Sequence, residues 1–491
     1  MRRREAMFIL ACLAHHDGEN PDHLVGLRQG KRIWNRSHRS RHLSTDFKPL
    51  PSNPLGGYGQ YYRGSLYRLG LTHILETANG IDQLTSLGDQ FAEAFARKLA
   101  KTQYCLDKCQ DEDELSLEML KELGSKMCLC QLPTHNDSEL KLLTDLFFGL
   151  GRYNSVEEAS LRRQSLLFGL DVTSNANKTR VAITPSHFDS SVLCEAAYFG
   201  QLSPGGTAYK YTPPTSLQTC VDNWRLFTLH RYFSYALEHL LSALLEEMKM
   251  KRSDGLSLDE FLDTLNWKDI ASHFEKRVAR RPKELQLAKW VACILGRQDP
   301  INKSISKTFD EQTRLDATCN ELGLADELSE LGDTNPISNR VALALRLLFT
   351  LYCRFYHYYA ARVKIWNDVA AWADNNLWFQ TTIQLLDKHL KRDATIAELL
   401  HELLDQQVVK QYDTVMDQKG KLESPWFQHN GDKLVWQCDY SPIWRGSKMD
   451  NCLSILTDLN LVKVNREDSI MLTASGKALH IRLLDDLRSR R

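Results

Sequence analysis

At 491 residues the chain is long enough for roughly two to four domains and a large buried core. Its hydrophobic content of 43% and charged content of 25% are those of an ordinary soluble globular protein. The 62 basic and 62 acidic residues cancel, which excludes a uniformly cationic nucleic-acid binder and leaves any attraction to phosphate to local patches.

In chain order, Met7, Phe8, Leu10, Ala11 and Leu13 predict an apolar helix over 5–14. This run reaches His15-His16-Asp17 without a cleavage-like site, so no signal peptide is expected. From Arg28 to Lys48 the chain is basic, with Arg32, Arg36 and Arg39 around Trp34. Such a run either neutralises phosphates or forms a solvated loop. Pro49, Pro51, Pro54 and Gly56-Gly57 then break the chain.

Residues 105–295 read as a central helical domain. It contains an acidic knot at Asp111 to Glu114, a capping box at Ser155-x-x-Glu158, and a loosened stretch over 171–216 punctuated by Asn175, Asn177, Pro185 and Ser203-Pro204-Gly205-Gly206. That stretch is the expected functional loop or hinge, with Val181-Ala182-Ile183 as a short β-like piece. One long amphipathic helix is predicted from Leu217 to Met250. Ser257-x-x-Glu260 caps the next helix, and a second basic patch includes Arg280 and Arg281. Residues 296–336 read as a mobile connector with one or two short helices. Residues 337–440 read as an aromatic-rich helical domain whose aromatics follow core spacing, with Thr395-x-x-Glu398 capping a helix and a short hairpin near Trp426 and Leu434-Val435-Trp436. The most apolar later run, Val341 to Cys353, is too short to span a bilayer, so no membrane partner is expected.

The two ends resemble each other. Leu459-x-Leu461 matches Leu69-x-Leu71, and Leu472-Thr473-x-x-Gly476 matches Leu84-Thr85-x-x-Gly88. In each copy a helix leads into a hairpin and then a second helix, the order of a winged-helix end, and the second hairpin is shorter by two residues. The expected fold class is therefore mainly α: winged-helix-like units within 1–104 and 441–491 around a long helical middle. In a winged helix the helix before the wing commonly enters the major groove while the wing touches the backbone. The exposed DNA-binding candidates are Arg63 and Arg68 in the first unit, and Arg445, Lys448, Asn451, Lys463 and Arg466 in the second. Winged helices also serve as protein-docking modules.

Twelve scattered cysteines predict reduced thiols in a cytoplasmic protein. Cys105-x3-Cys109 and Cys128-x-Cys130, with His135 beyond, form the most metal-like grouping. Neither pair has the two-residue knuckle spacing, so no metal or other cofactor is expected. His15, His16, Asp17, Asp22 and His23 could also gather, but a polar turn after the first helix explains them better. No phosphate-cradling loop, His-Glu-x-x-His or Gly-x-Ser-x-Gly motif is present. No catalytic residue is assigned and the expectation is a non-enzyme.

The start Arg3-Arg4-Glu5-Ala6-Met7-Phe8-Ile9-Leu10, the helix Trp224-Arg225-Leu226-Phe227-x3-Arg231-Tyr232 and the closing Leu456-x-x-Leu459-x-Leu461 resemble uncharacterised helical proteins encoded in bacterial genome-defence gene clusters. The resemblance implies an accessory subunit beside an ATPase, helicase or nuclease, and carries over no catalytic residue. A second similarity is architectural: winged-helix ends around a helical middle resemble kleisins, which bridge chromosome-maintenance-type ATPases. The leading expectation is an adaptor that holds such a protein partner and touches double-stranded DNA. The alternatives are a kleisin-like bridge, and a metal-dependent nuclease with a spatially assembled site that would use Asp111 or Asp113.

Overall fold

The computed structural model describes residues 2–19, 24–37, 41–51, 56–75, 81–107, 109, 112–134, 138–155, 158–203, 208–251, 254–274, 281–294, 320–331, 336–361, 379–420 and 425–489. The protein is mainly α-helical, with short antiparallel two-stranded sheets. It divides into two compact units, one of residues 1–189, 213–221 and 448–491 and the other of residues 190–212 and 222–447.

In the first unit, the helix Arg2–His15 packs against the helix Leu117–Met127. Ala6, Ile9, Leu10, Ala11, Leu13 and Ala14 on the first helix are all buried, joined by Leu120, Leu123 and Met127 from the second. The two backbones approach so closely that a β-carbon at Gly124 would lie 2.2 Å from the Ala11 carbonyl oxygen. Part of the basic run is not a solvated loop: Leu27–Ser37 is an amphipathic helix. It buries Trp34 and seats Gly30 against Ile9, while Arg32 and Arg36 face solvent. The strand His42–Ser44 then pairs antiparallel with Glu114–Ser116.

The paired ends are duplicated down to individual hydrogen bonds. The helix Arg63–Arg68, the hairpin Thr72–Leu75 with Ile81–Leu84, and the helix Ser86–Leu99 form the first copy. Met449–Asp458, the hairpin Val462–Val464 with Ile470–Leu472, and Ala474–Ser489 form the second. Leu71 N donates to Leu66 O and Leu461 N to Leu456 O, each at 2.9 Å. Thr85 N donates to Leu71 O and Thr473 N to Leu461 O, each at 3.0 Å. Both threonine hydroxyls then cap the following helix, accepting from Gly88 N and Gly476 N. The turn before each hairpin needs a left-handed residue, Gly70 in one copy and Asn460 in the other.

The described residues of 171–216 are not one open loop. The helix Ala159–Thr179 runs through Asn175 and Asn177, and the chain from Ser190 to Phe199 is a π-helical stretch whose Val192, Leu193, Cys194 and Phe199 are buried. The reason lies in side-chain bonding. Asn175 Nδ2 back-bonds within the helix to the Asp171 carbonyl and carboxylate, and the Asn177 amide is drawn off to the closing hairpin, so neither side chain turns the chain out of the helix. The expected β-like piece at 181–183 is not a strand, though the Ile183 carbonyl accepts from Ile470 N at 2.8 Å. The expected helix start behind Ser155 is not where this helix begins. The helix starts at Ala159 behind Glu158, a left-handed residue that makes no side-chain cap bond.

In the second unit, most of the helix Gln218–Met250 contributes the core stripe of Leu226, Phe233, Leu240, Leu244 and Met248. It shares that core with Val341 to Cys353 of the helix Ile337–Ala361 and with the helices Phe379–Lys391 and Ile396–Leu403. The capping boxes at Ser257–Glu260 and Thr395–Glu398 are both present. A hairpin of Phe427–Asn430 and Lys433–Trp436 follows. Residues 296–319 and 332–335 of the expected connector lie outside the described residues, and Glu321–Ser329 between them is a helix capped by Asn320. Among the described residues no helix is long and apolar enough to cross a membrane.

Candidate functional site

The cationic candidates fall into different settings. In the closing copy, Lys448 and Asn451 are exposed at the start of the helix Met449–Asp458, and Lys463 and Arg466 are exposed on its hairpin and turn. The turn itself is built by Asn465, whose side chain accepts from Glu467 N and Ser469 N, and Arg466 projects from it beside exposed Glu467 and Asp468. Arg445, in the second unit, is exposed and pairs with Glu238 at 3.6 Å. Arg281 is exposed and pairs with Glu284 one helical turn on. Arg39 and Arg280 lie outside the described residues.

In the first copy, Arg68 is exposed, but the guanidinium of Arg63 is committed to the hairpin. It grips Asp82 with two bonds of 2.7 and 2.9 Å, and Tyr58 Oη donates to the same carboxylate at 2.6 Å. Arg63 and then Tyr58 hold the Asp82 carboxyl below its usual range. This copy also exposes large apolar groups: Tyr61 at 53%, Tyr67 at 52%, Ile74 at 46% and Leu84 at 48%.

Beside the closing hairpin is a groove of about 520 Å³ lined by Lys178, Lys477, His480, Asp485 and Arg488, with Met471 and Leu472 of the hairpin in its wall. His480 is buried under it and bonds Asp171 at 3.0 Å, fixing the closing helix to the helix Ala159–Thr179. Sequence spacing does not bring Lys178 to this place. The Asn177 amide does, by bonding Ile470 O and Leu472 N on the outer edge of the hairpin.

The thiols gather differently from their spacing in sequence. Cys105 and Cys109 pack against the apolar cluster of the first helix and do not join Cys128 and Cys130. Cys128 Sγ lies 3.3 Å from His16 Nε2, and the Cys12 thiol also hydrogen-bonds Cys128. His15, His16 and Cys130 present ligand atoms all within 4.8 Å of one another. The bond from Cys12 pulls the Cys128 thiol down to about 4, with burial opposing and the Cys130 backbone N–H assisting. Cys12 is correspondingly pushed up, by that bond and by burial. The i, i+4 relation of Cys12 and His16 on an apolar helix was the available signal.

Of the acidic residues considered for a nuclease, Asp111 lies outside the described residues. Asp113 is exposed and pairs with Arg3 at 2.5 Å. Comparison with known proteins finds no matching family model, no matching curated protein and no matching solved structure.

Proposed function

We propose that the protein is a non-enzymatic adaptor, a subunit of a DNA-associated complex of the genome-defence kind. In this reading the two helix–hairpin–helix copies are winged-helix-like, and they have diverged in what they contact. The observation that carries it is the difference in their surfaces. The closing copy presents Lys448, Asn451, Lys463 and Arg466 to solvent beside a groove lined by Lys178, Lys477 and Arg488. The first copy ties up Arg63 on Asp82, leaves Arg68 exposed, and presents Tyr61, Tyr67, Ile74 and Leu84, where the closing copy exposes only Val464 and Ile481 among its described large apolar groups.

Cations spaced along a hairpin and an adjacent groove suit duplex phosphates, which supply sequence-independent affinity. Exposed aromatic and aliphatic groups suit a protein partner, since tyrosines give large contact area at low entropic cost. The partner class that fits is an ATPase, helicase or nuclease that supplies the chemistry this chain is read as lacking. The test is fluorescence anisotropy of a labelled duplex with the full chain and with a Lys463→Ala/Arg466→Ala variant. The variant is expected to bind severalfold more weakly at low salt. Equal binding by both chains would remove the closing copy from the DNA contact.

A further inference from the structure

The geometry points to a zinc-type metal centre built from His15, His16, Cys128 and Cys130, with Cys12 as a positioning residue behind it. Tetrahedral zinc takes thiolate and imidazole ligands, with zinc–sulfur bonds of about 2.3 Å and zinc–nitrogen bonds of about 2.0–2.1 Å, so a sulfur and a nitrogen sharing the ion stand about 3.5 Å apart. Cys128 Sγ and His16 Nε2 stand 3.3 Å apart. His15, His16 and Cys130 offer ligand atoms that all lie within 4.8 Å of one another. Two ligands come from the last turn of the helix Arg2–His15 and the residue after it, and two from the segment that leaves the helix Leu117–Met127. Those helices are packed together by a conventional apolar core, which gathers His15, His16 and Cys130 before any ion binds and sets Cys128 against His16, from where its thiolate turns in to complete the shell.

A second observation shows where a cation would sit. The side-chain amide of Gln131 donates to His15 Nε2 at 3.0 Å and to Cys130 Sγ at 3.4 Å. An imidazole lone pair and a sulfur thus converge on one electropositive group, which a divalent ion would replace by turning the Gln131 side chain outward. The chemistry of the donors selects the ion. Two sulfurs and two imidazole nitrogens suit zinc, while oxygen-seeking magnesium or calcium finds no carboxylate in the group. Cys12 lies buried one turn before His16 and hydrogen-bonds Cys128, the sort of outer partner that orients a ligating thiolate. With four protein ligands the coordination shell is closed, so the centre is structural and staples the two helix ends.

The experiment uses the full chain, expressed with added zinc and measured by elemental analysis, then stripped and titrated with cobalt. The expected result is one zinc per chain, and a tetrahedral cobalt spectrum with a thiolate charge-transfer band. His15→Ala combined with Cys130→Ala should abolish both signals. His15 is half-buried and Cys130 is exposed, so this variant keeps the apolar core. Cys105→Ser, outside the cluster, should bind as the unaltered chain does. Absence of zinc together with absence of a cobalt spectrum in the unaltered chain overturns the inference. So does full metal content in the double variant, or its loss in Cys105→Ser.

Discussion

A β-carbon at Gly476 would lie 1.9 Å from the carbonyl oxygen of Leu461, and one at Gly88 would lie 2.1 Å from that of Leu71. In both copies the obstacle is backbone that already accepts a hydrogen bond from the capping threonine's N–H. Neither carbonyl can retreat without breaking the hairpin's entry. Gly476→Ala and Gly88→Ala are therefore each expected to destabilise the protein by about 1–3 kcal/mol, the range of overpacking in a closed site. Urea denaturation read by circular dichroism checks this. By contrast, Gly446→Ala, with open space around it, should be close to neutral.

The Asn177 side chain acts as a substitute strand on the outer edge of the closing hairpin. Its amide donates to Ile470 O at 3.0 Å and accepts from Leu472 N at 3.1 Å. Asn177→Ala leaves both backbone groups without those partners, at an expected cost of about 1–3 kcal/mol. Asn177→Asp keeps the acceptor and loses the donor, so it should fall between. Hydrogen exchange at the Leu472 amide should accelerate in the alanine variant and much less in the aspartate one.

Arg354 and Glu321 form a two-pronged ion pair in the second unit, with bonds of 2.6 and 2.7 Å and both side chains almost fully buried. Tyr198 Oη donates to the same carboxylate at 2.8 Å. Removing one partner strands the other charge, so Glu321→Ala is expected to cost about 3–5 kcal/mol. Replacing both by apolar residues of similar volume should recover much of that loss. Thermal unfolding of the single and double variants tests both statements.

His239 is buried in the second unit, and neither of its ring nitrogens has a hydrogen-bond partner among the described residues. Burial, with the nearby charge of Arg340, holds its pKa down to about 4. The folded state therefore binds a proton less readily than the unfolded chain. The stabilisation is complete above the ordinary imidazole value of 6.5 and is lost as pH falls toward about 4. On the order of 2–3 kcal/mol should disappear over that window from this group. His239→Leu should flatten the pH dependence there, as measured by denaturation midpoints between those limits.

The helical fold, the two matching ends, the long helix to Met250 and the capping boxes at Ser257 and Thr395 were legible in the sequence, because each depends on local spacing. Leu84-Thr85-x-x-Gly88 and Leu472-Thr473-x-x-Gly476 each encode a threonine cap and a glycine that the close backbone approach requires. The helical parts of 171–216 were misread because asparagine usually marks turns. Here Asn175 and Asn177 spend their amides on Asp171 and on a hairpin nearly three hundred residues away in sequence. The thiol cluster was misread for a related reason. Spacing within 105–135 cannot show that Cys128 and Cys130 meet His15 and His16 at the end of the first helix. Nor can a count of basic residues show that Arg63 is already gripped by Asp82.

The most direct test of the adaptor reading is the affinity of the full chain for a short duplex across a salt series. Three or four phosphate contacts by the closing copy predict that the logarithm of affinity falls with the logarithm of salt at a slope of about −3, near 0.9 per contact. Lys463→Ala/Arg466→Ala should reduce that slope by about 2. No binding at the lowest salt, or a slope unchanged by the two substitutions, would contradict a DNA-contacting closing copy.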